Sequence, residues 1–266
     1  MSPKLLGILN ITEDSFSDGG RFLDPAAALE RARALAKDSD AIDLGAASSK
    51  PDAIPVAPEV EIARLAPVVA MLKGEGVPVS VDTFAPGVQR WALSQDVDYL
   101  NDVRGFPDDA LYPALARSRA KLIVMFSVEG LGPATRLRVP VEELPGRMSR
   151  FFEDRIAALT GAGVSADRLV LDPGMGLFLG SHPDASFAVL RRIADLKREF
   201  GRAVLISVSR KSFLRNLVGR GVAEIGPATL AAELFAVRQG ADYIRTHAPG
   251  ALKDALKVLE TLGNNA

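Results

Sequence analysis

Eight times along this chain a short apolar run runs out into polar or charged residues and is followed by an amphipathic segment. The runs are Leu5–Asn10, Ala41–Gly45, Val77–Asp82, Tyr99–Asp102, Leu122–Phe126, Arg168–Asp172, Ala203–Ser207 and Tyr243–Arg245. Their length and near-continuous apolar character suit strands buried on both faces. The intervening segments are Ala26–Lys37, Val60–Lys73, Pro86–Ser94, Ala110–Ser118, Met148–Thr160, Ser186–Glu199, Pro227–Gln239 and Ala251–Leu262, which carry apolar residues at helical period. Strand–helix alternation of this kind predicts a parallel sheet. No linker divides the chain, and its 266 residues match the roughly 250 that an eight-stranded barrel needs. The expected architecture is α/β, a single (β/α)8 TIM barrel over residues 1–266. Chemistry in such a barrel sits where the strand C-termini meet.

Composition removes several classes of function. A net charge of −1 gives no electrostatic case for nucleic acid. Cysteine is absent, which excludes disulfides and thiolate metal sites. The apolar run after Met1-Ser2-Pro3-Lys4 is too short for a signal peptide, and no stretch reaches membrane-span length. The expectation is a soluble cytoplasmic protein.

The strand ends carry the candidate chemistry. The first is followed by Asn10-Ile11-Thr12-Glu13-Asp14-Ser15-Phe16-Ser17-Asp18-Gly19-Gly20. Local turns account for Ser17–Gly20, but Asn10 is an odd end for a core strand. An oxygen-rich site there suits a hard cation such as Mg²⁺. Asp43–Pro51 holds two hydroxyls, Ser48 and Ser49, and the cation Lys50. Alone it reads as a Ser-rich loop. Asp82, Asn101-Asp102 and Asp172 close strands three, four and six. A carboxylate at a strand end is costly unless paired, although Asp82-Thr83 reads equally as a helix cap. Together they offer acceptors for a flat heterocycle with a guanidine-like edge, such as a pterin. Ser209-Arg210-Lys211-Ser212 and Arg245-Thr246-His247 supply cations and an imidazole for a phosphate or pyrophosphate. His182 reads as a surface-loop residue. Residues 129–146, rich in Gly and Pro, read as a long loop on the same rim. No nucleophile–base triad or dinucleotide glycine pattern is present.

Taken in order, these segments resemble the dihydropteroate synthases, the folate-pathway members of the pterin-binding barrels. The resemblance covers essentially the whole chain, from Gly7–Gly20 through Asp43–Pro51, Ser80–Thr83, Asn101-Asp102, Asp172–Gly176 and Ser209–Ser212 to Arg245–His247. It implies condensation of a dihydropterin pyrophosphate with p-aminobenzoate, with pyrophosphate leaving. It implies that Asp82, Asn101, Asp172 and Lys211 hold the pterin. Asn10, Ser49, Lys50, Arg245 and His247 would hold the pyrophosphate, with Mg²⁺ near Asn10. Phe16, Ser49, Pro51, Phe178, Lys211 and Ser212 would border p-aminobenzoate, under mobile loops after strands one and two. Asp82, Asp172, Lys211, Arg245 and His247 would form the catalytic set, in a homodimer.

Four positions depart from the common family pattern. Glu13 stands for Pro, Lys50 for Arg, Leu177-Phe178-Leu179 for a Phe-Gly-Lys stretch, and Phe126 for a His. The first and third, with Ala47-Ser48-Ser49 and Asn101–Pro107, resemble the sulfonamide-insensitive, mobile-element subgroup. An extra aromatic at Phe178 or Phe106 is the expected steric device. Phe126 is expected to remove a rim hydrogen bond or to be a tolerated neighbour of the site. The alternatives are a catalytically impaired pterin-binding homologue, a corrinoid-dependent methyltransferase and a Schiff-base aldolase on Lys211.

Overall fold

The computed structural model describes residues 2–12, 24–130 and 134–263. Eight strands close into a barrel in sequence order: β1 Lys4–Asn10, β2 Ala41–Gly45, β3 Val79–Asp82, β4 Tyr99–Asp102, β5 Lys121–Met125, β6 Leu169–Asp172, β7 Ala203–Ile206 and β8 Tyr243–Thr246. All neighbours are parallel, and β1 pairs with β8 through Leu6 opposite Arg245. The outer layer is α1 Pro25–Ala36, α2 Pro58–Gly74, α3 Pro86–Ser94, α4 Tyr112–Arg117, α5 Leu144–Gly161, α6 Ala185–Leu190, α7 Ile193–Phe200, α8 Ser212–Val218, α9 Gly226–Arg238 and α10 Pro249–Thr261.

Side-chain alternation along each strand sorts residues into two cores. Leu5, Leu44, Val81, Leu100, Val124, Leu171, Val204 and Ile244 face outward, into the main cluster with the helices. Leu6, Ala41, Tyr99, Ile123, Val170, Leu205 and Tyr243 face inward and fill the bottom of the barrel. Tyr99 and Tyr243 meet there edge to face with ring centres 6.0 Å apart.

Three carboxylates fasten the strand starts. Asp40 accepts from the Leu5 amide (2.7 Å), Asp98 from Val79 (2.9 Å) and Asp242 from Val204 (2.9 Å). Each directly precedes the following strand, so one residue satisfies an amide of a preceding strand. Pro in the first turn of α1, α2, α3 and α10 presets φ where no amide bond is needed.

The chain differs from its sequence pattern in three places. The helix expected over Ser186–Glu199 breaks between α6 and α7 at Arg191-Arg192, where no Gly or Pro marks it. Helix α8 occupies a stretch with no expected helix; its seven residues are too few for a periodic signal, and Gly219 ends it at φ +64°. The long fifth loop ends early, in a 3₁₀ turn at Val141–Glu143 that leads into α5.

Candidate functional site

Strand alternation carries the bottom layer of the barrel upward into a cavity of about 700 Å³. Two residues beyond Leu6, Tyr99, Ile123, Val170, Leu205 and Tyr243 stand Ile8, Asn101, Met125, Asp172, Ser207 and Arg245, and all line it. Asn10, Gly45 and His247 continue the same inward rows, and Asp82 joins from β3. Asn101 and Asp172 are therefore inward by position alone. Asp102, one residue past Asn101, must face outward. There it accepts from the Arg104 and Phe106 amides (2.8 and 2.9 Å) and from Gln89 (3.0 Å), so it braces a loop.

All the site residues expected from the sequence line this cavity except Phe16, which lies outside the described residues. Ser49, Lys50 and Pro51 come from the β2 loop, Phe178 from the 3₁₀ turn Gly176–Leu179, and Lys211 and Ser212 from the start of α8. The fifth loop forms part of the rim, as expected. The Ala134 amide donates to the Ser49 carbonyl (2.9 Å), the Thr135 amide to Leu177 (3.0 Å), and Arg136 pairs with Asp52 (2.5 Å). His182 stands in a loop outside the cavity.

Sequence reasoning passed over Asp43. It is fully buried on the inner face of β2, where Arg245 Nε donates to it. A second Arg245 nitrogen donates to Asp82 at 2.6 Å. One guanidinium thus holds two carboxylates, and a charged residue in the middle of an apolar strand was the available signal. Burial works to lower the pKa of Arg245, but the pairs with Asp43 and Asp82 outweigh it and raise it. Burial raises the Asp82 carboxyl, Arg245 opposes this, and Asp43 and Glu61 add to the rise.

Burial also sets the other groups. It pushes Asp172 up to about 6 against the Gly174 amide, Lys211 and Arg245. It pulls Lys211 down to about 8, helped by Arg245 and resisted by Asp172 and Asp82. His247 is held well below the ordinary imidazole range by burial, then by Arg210, Arg245, Lys211 and Arg31. The Lys211 ammonium sits 5.0 Å from the centre of the Phe178 ring. Asn101 Oδ1 is buried and has no protein partner. A buried acceptor of this kind calls for a donor from a ligand.

No cluster of three or more His, Asp or Glu fit to hold a metal stands among the described residues. Mg²⁺ commonly takes one or two protein oxygens and completes its shell with water and phosphate. Asn10 fits that limited role, because a Cβ at Gly45 would come within 3.3 Å of Asn10 Oδ1 and glycine leaves the oxygen open.

Comparison with known proteins agrees with this geometry. The family model described as "Pterin binding enzyme" matches residues 6–247. The chain is 57% identical to the dihydropteroate synthase type-2 of Escherichia coli, over 98% of this chain and 97% of that one. It is 51% identical to the type-1 enzyme of Pseudomonas aeruginosa, over 97% and 93%. The solved dihydropteroate synthase of Xanthomonas albilineans with 4-aminobenzoic acid superposes with a TM-score of 0.86 at 31% identity, covering 100% and 95%. The chain belongs to the dihydropteroate synthase family of pterin-binding enzymes.

The structure decides between the two readings of Phe126 and corrects one of the two suspected aromatics. The Phe126 side chain is not on the rim. It follows inward-facing Met125, so it points out of the barrel and packs against Phe151 and Phe152, with ring centres 5.4 and 6.5 Å away. Only its backbone approaches the site loop: a Cβ at Gly174 (φ +70°) would lie 2.4 Å from the Phe126 carbonyl oxygen, so only glycine fits that turn. Phe106 is likewise in the outer core. Phe178 alone of the two suspected aromatics borders the cavity.

Proposed function

We propose that this chain condenses 6-hydroxymethyl-7,8-dihydropterin diphosphate with p-aminobenzoate to give 7,8-dihydropteroate and pyrophosphate. The observation that carries this reading is the pairing of inward acceptors with a cationic wall in one cavity. Asp172 would accept two hydrogen bonds from the guanidine-like edge of the pterin, and Asn101 Oδ1 a third. Lys211 would lie against the ring between Asp172 and Phe178. Ser49, Lys50, Arg245 and His247 would take the diphosphate, with Asn10 beside it.

The chemistry asks the protein for position and charge. The aniline nitrogen uses its lone pair to form the new N–C bond at the pterin methylene. The C–O bond breaks, its electrons leave on pyrophosphate, and the amine gives up one proton. Cations fixed at the diphosphate stabilise the departing charge, while Asp82 and Asp172 place negative field near the electron-poor methylene. No strong base is required, because an aryl amine is neutral at pH 7. Mg²⁺, when held beside Asn10, would add charge for the leaving group. Closure of the loop after β2 would keep out water.

We read the enzyme as sulfonamide-insensitive, with Phe178 as the reason. A ring fixed at the p-aminobenzoate end would tolerate a planar carboxylate and clash with a bulkier tetrahedral sulfonyl group. The same reading takes the protein to be cytoplasmic and a homodimer. The test is pyrophosphate release with both substrates and Mg²⁺, with and without sulfamethoxazole. Turnover that resists the drug, and becomes sensitive in Phe178→Ala, is expected. Inhibition equal to that of a common-type synthase would remove the resistance reading. Pterin binding without turnover would leave an impaired homologue.

A further inference from the structure

Asp52 and Arg136 stand at the rim of the cavity on two different loops, and the proposed reaction gives neither a role. The Arg136 guanidinium donates to both oxygens of the Asp52 carboxylate, at 3.1 and 2.5 Å. The side chains are 67% and 71% exposed, so the pair adds little to the stability of the fold. What it joins is the fifth loop to the β2 loop. The fifth-loop end is anchored. The Thr135 amide donates to the Leu177 carbonyl (3.0 Å) and the Ser181 amide to the Leu137 carbonyl (2.8 Å), so the residues on either side of Arg136 are fastened to the loop that carries Phe178. A Cβ at Gly180 (φ +87°) would lie 2.5 Å from the Leu137 carbonyl oxygen, so that close approach requires glycine. The β2-loop end carries the residues read as taking the substrates. The Ala53 amide closes a turn on the Lys50 carbonyl (3.2 Å), which ties Asp52 to Lys50 and Pro51, and the Ser49 carbonyl takes the Ala134 amide (2.9 Å).

We propose that Arg136 is a positioning residue: through Asp52 it clasps the β2 loop to the fifth loop and so holds Ser49, Lys50 and Pro51 in place on the cavity wall.

The argument is one of loop entropy. Residues 46–57, between β2 and α2, form no helix or strand. A connection of that length has many arrangements open to it unless its middle is fastened. The fifth loop fastens it at two points, a backbone bond at Ser49 and an ion pair at Asp52. A bidentate arginine–carboxylate pair fixes direction as well as distance, which a single bond does not. If the clasp opens, the loop lines the cavity for only part of the time, and affinity for whatever it binds falls by that fraction. Asn101 and Asp172 stand on barrel strands and do not depend on the clasp.

The kinetic consequence rests on the synthase reading, but the clasp does not. The parent, Asp52→Ala, Arg136→Met and the double variant would be compared in three measurements: hydrogen exchange of the Ala134 amide in the ligand-free protein, affinity for inorganic pyrophosphate, and KM and kcat for both substrates. In each single variant the Ala134 amide is expected to exchange about three- to fivefold faster, with pyrophosphate affinity falling and the KM for p-aminobenzoate rising by a similar factor. The kcat, the affinity for 6-hydroxymethylpterin and the urea midpoint are expected to be unchanged. The double variant is expected to match the singles, because one pair can be broken only once. The direction of the shifts separates a clasp from a field effect. Charge alone would make Asp52→Ala bind pyrophosphate more tightly and Arg136→Met more weakly. Opposite or additive shifts would therefore overturn the proposal, as would unchanged exchange at Ala134. Faster exchange with unchanged pyrophosphate affinity and KM would overturn the positioning role. If the parent shows no turnover, the synthase reading falls, and exchange with pyrophosphate affinity decides the clasp.

Discussion

Replacing Asp172 with Asn keeps the shape of the side chain and an oxygen to accept from the Gly174 amide, now 2.8 Å away, but removes the charge. Burial raises the Asp172 carboxyl from 3.8 to about 6, and the residue is only 3% exposed, so solvent screens little of the effect. At about 1.4 kcal/mol per pKa unit, holding this group ionised in the folded protein costs about 3 kcal/mol. The folded pKa is the raised one. The stability linked to this carboxyl is therefore full below its unfolded value, and is lost as pH rises through about 6. Asp172→Asn should match the parent near pH 4 and exceed it by about 3 kcal/mol above pH 7. Urea unfolding across that range, with equal m-values, measures the gap. The same variant should bind pterin roughly 10- to 100-fold more weakly, because a charge-assisted pair contributes about 1.5–3 kcal/mol. A variant less stable than the parent at pH 7, or a gap that does not change with pH, would refute the reasoning. The site would then be compensating its buried charge more fully than its partners suggest.

Two further outcomes are expected. Arg245→Met should cost about 3–5 kcal/mol in urea unfolding, because it removes the guanidinium bonded to buried Asp43 and Asp82 and leaves only the charge of Lys211 near Asp82, and adding Asp43→Asn should return part of the loss. Phe126→His, which restores the common family residue, should lower stability by about 1–3 kcal/mol by putting ring nitrogens among Phe151 and Phe152, and kcat should not rise.

Much of the site was legible because the barrel turns sequence parity into direction. Asn101, Asp172 and Arg245 each stand two residues after an inward core residue, so once the strands are located, their facing follows. The same parity would have placed Phe126 outside and Asp43 inside. Reading Phe126 by resemblance left two alternatives open, and reading Asp43 as the start of a loop passed over its role. The break between α6 and α7 was not legible, since no glycine or proline marks it.

By itself the sequence determined the class of fold, the order of the strands and the set of polar residues at their ends, because strand and helix periods are local properties of neighbouring side chains. Only the tertiary structure decided how those charges are shared. That Arg245 is divided between Asp43 and Asp82 and that Lys211 lies over Phe178 depends on closing the barrel. Closure brings together residues some 200 positions apart, as with Asp43 and Arg245. It also excludes the water that would otherwise screen them, and burial then sets which of these groups carries a proton.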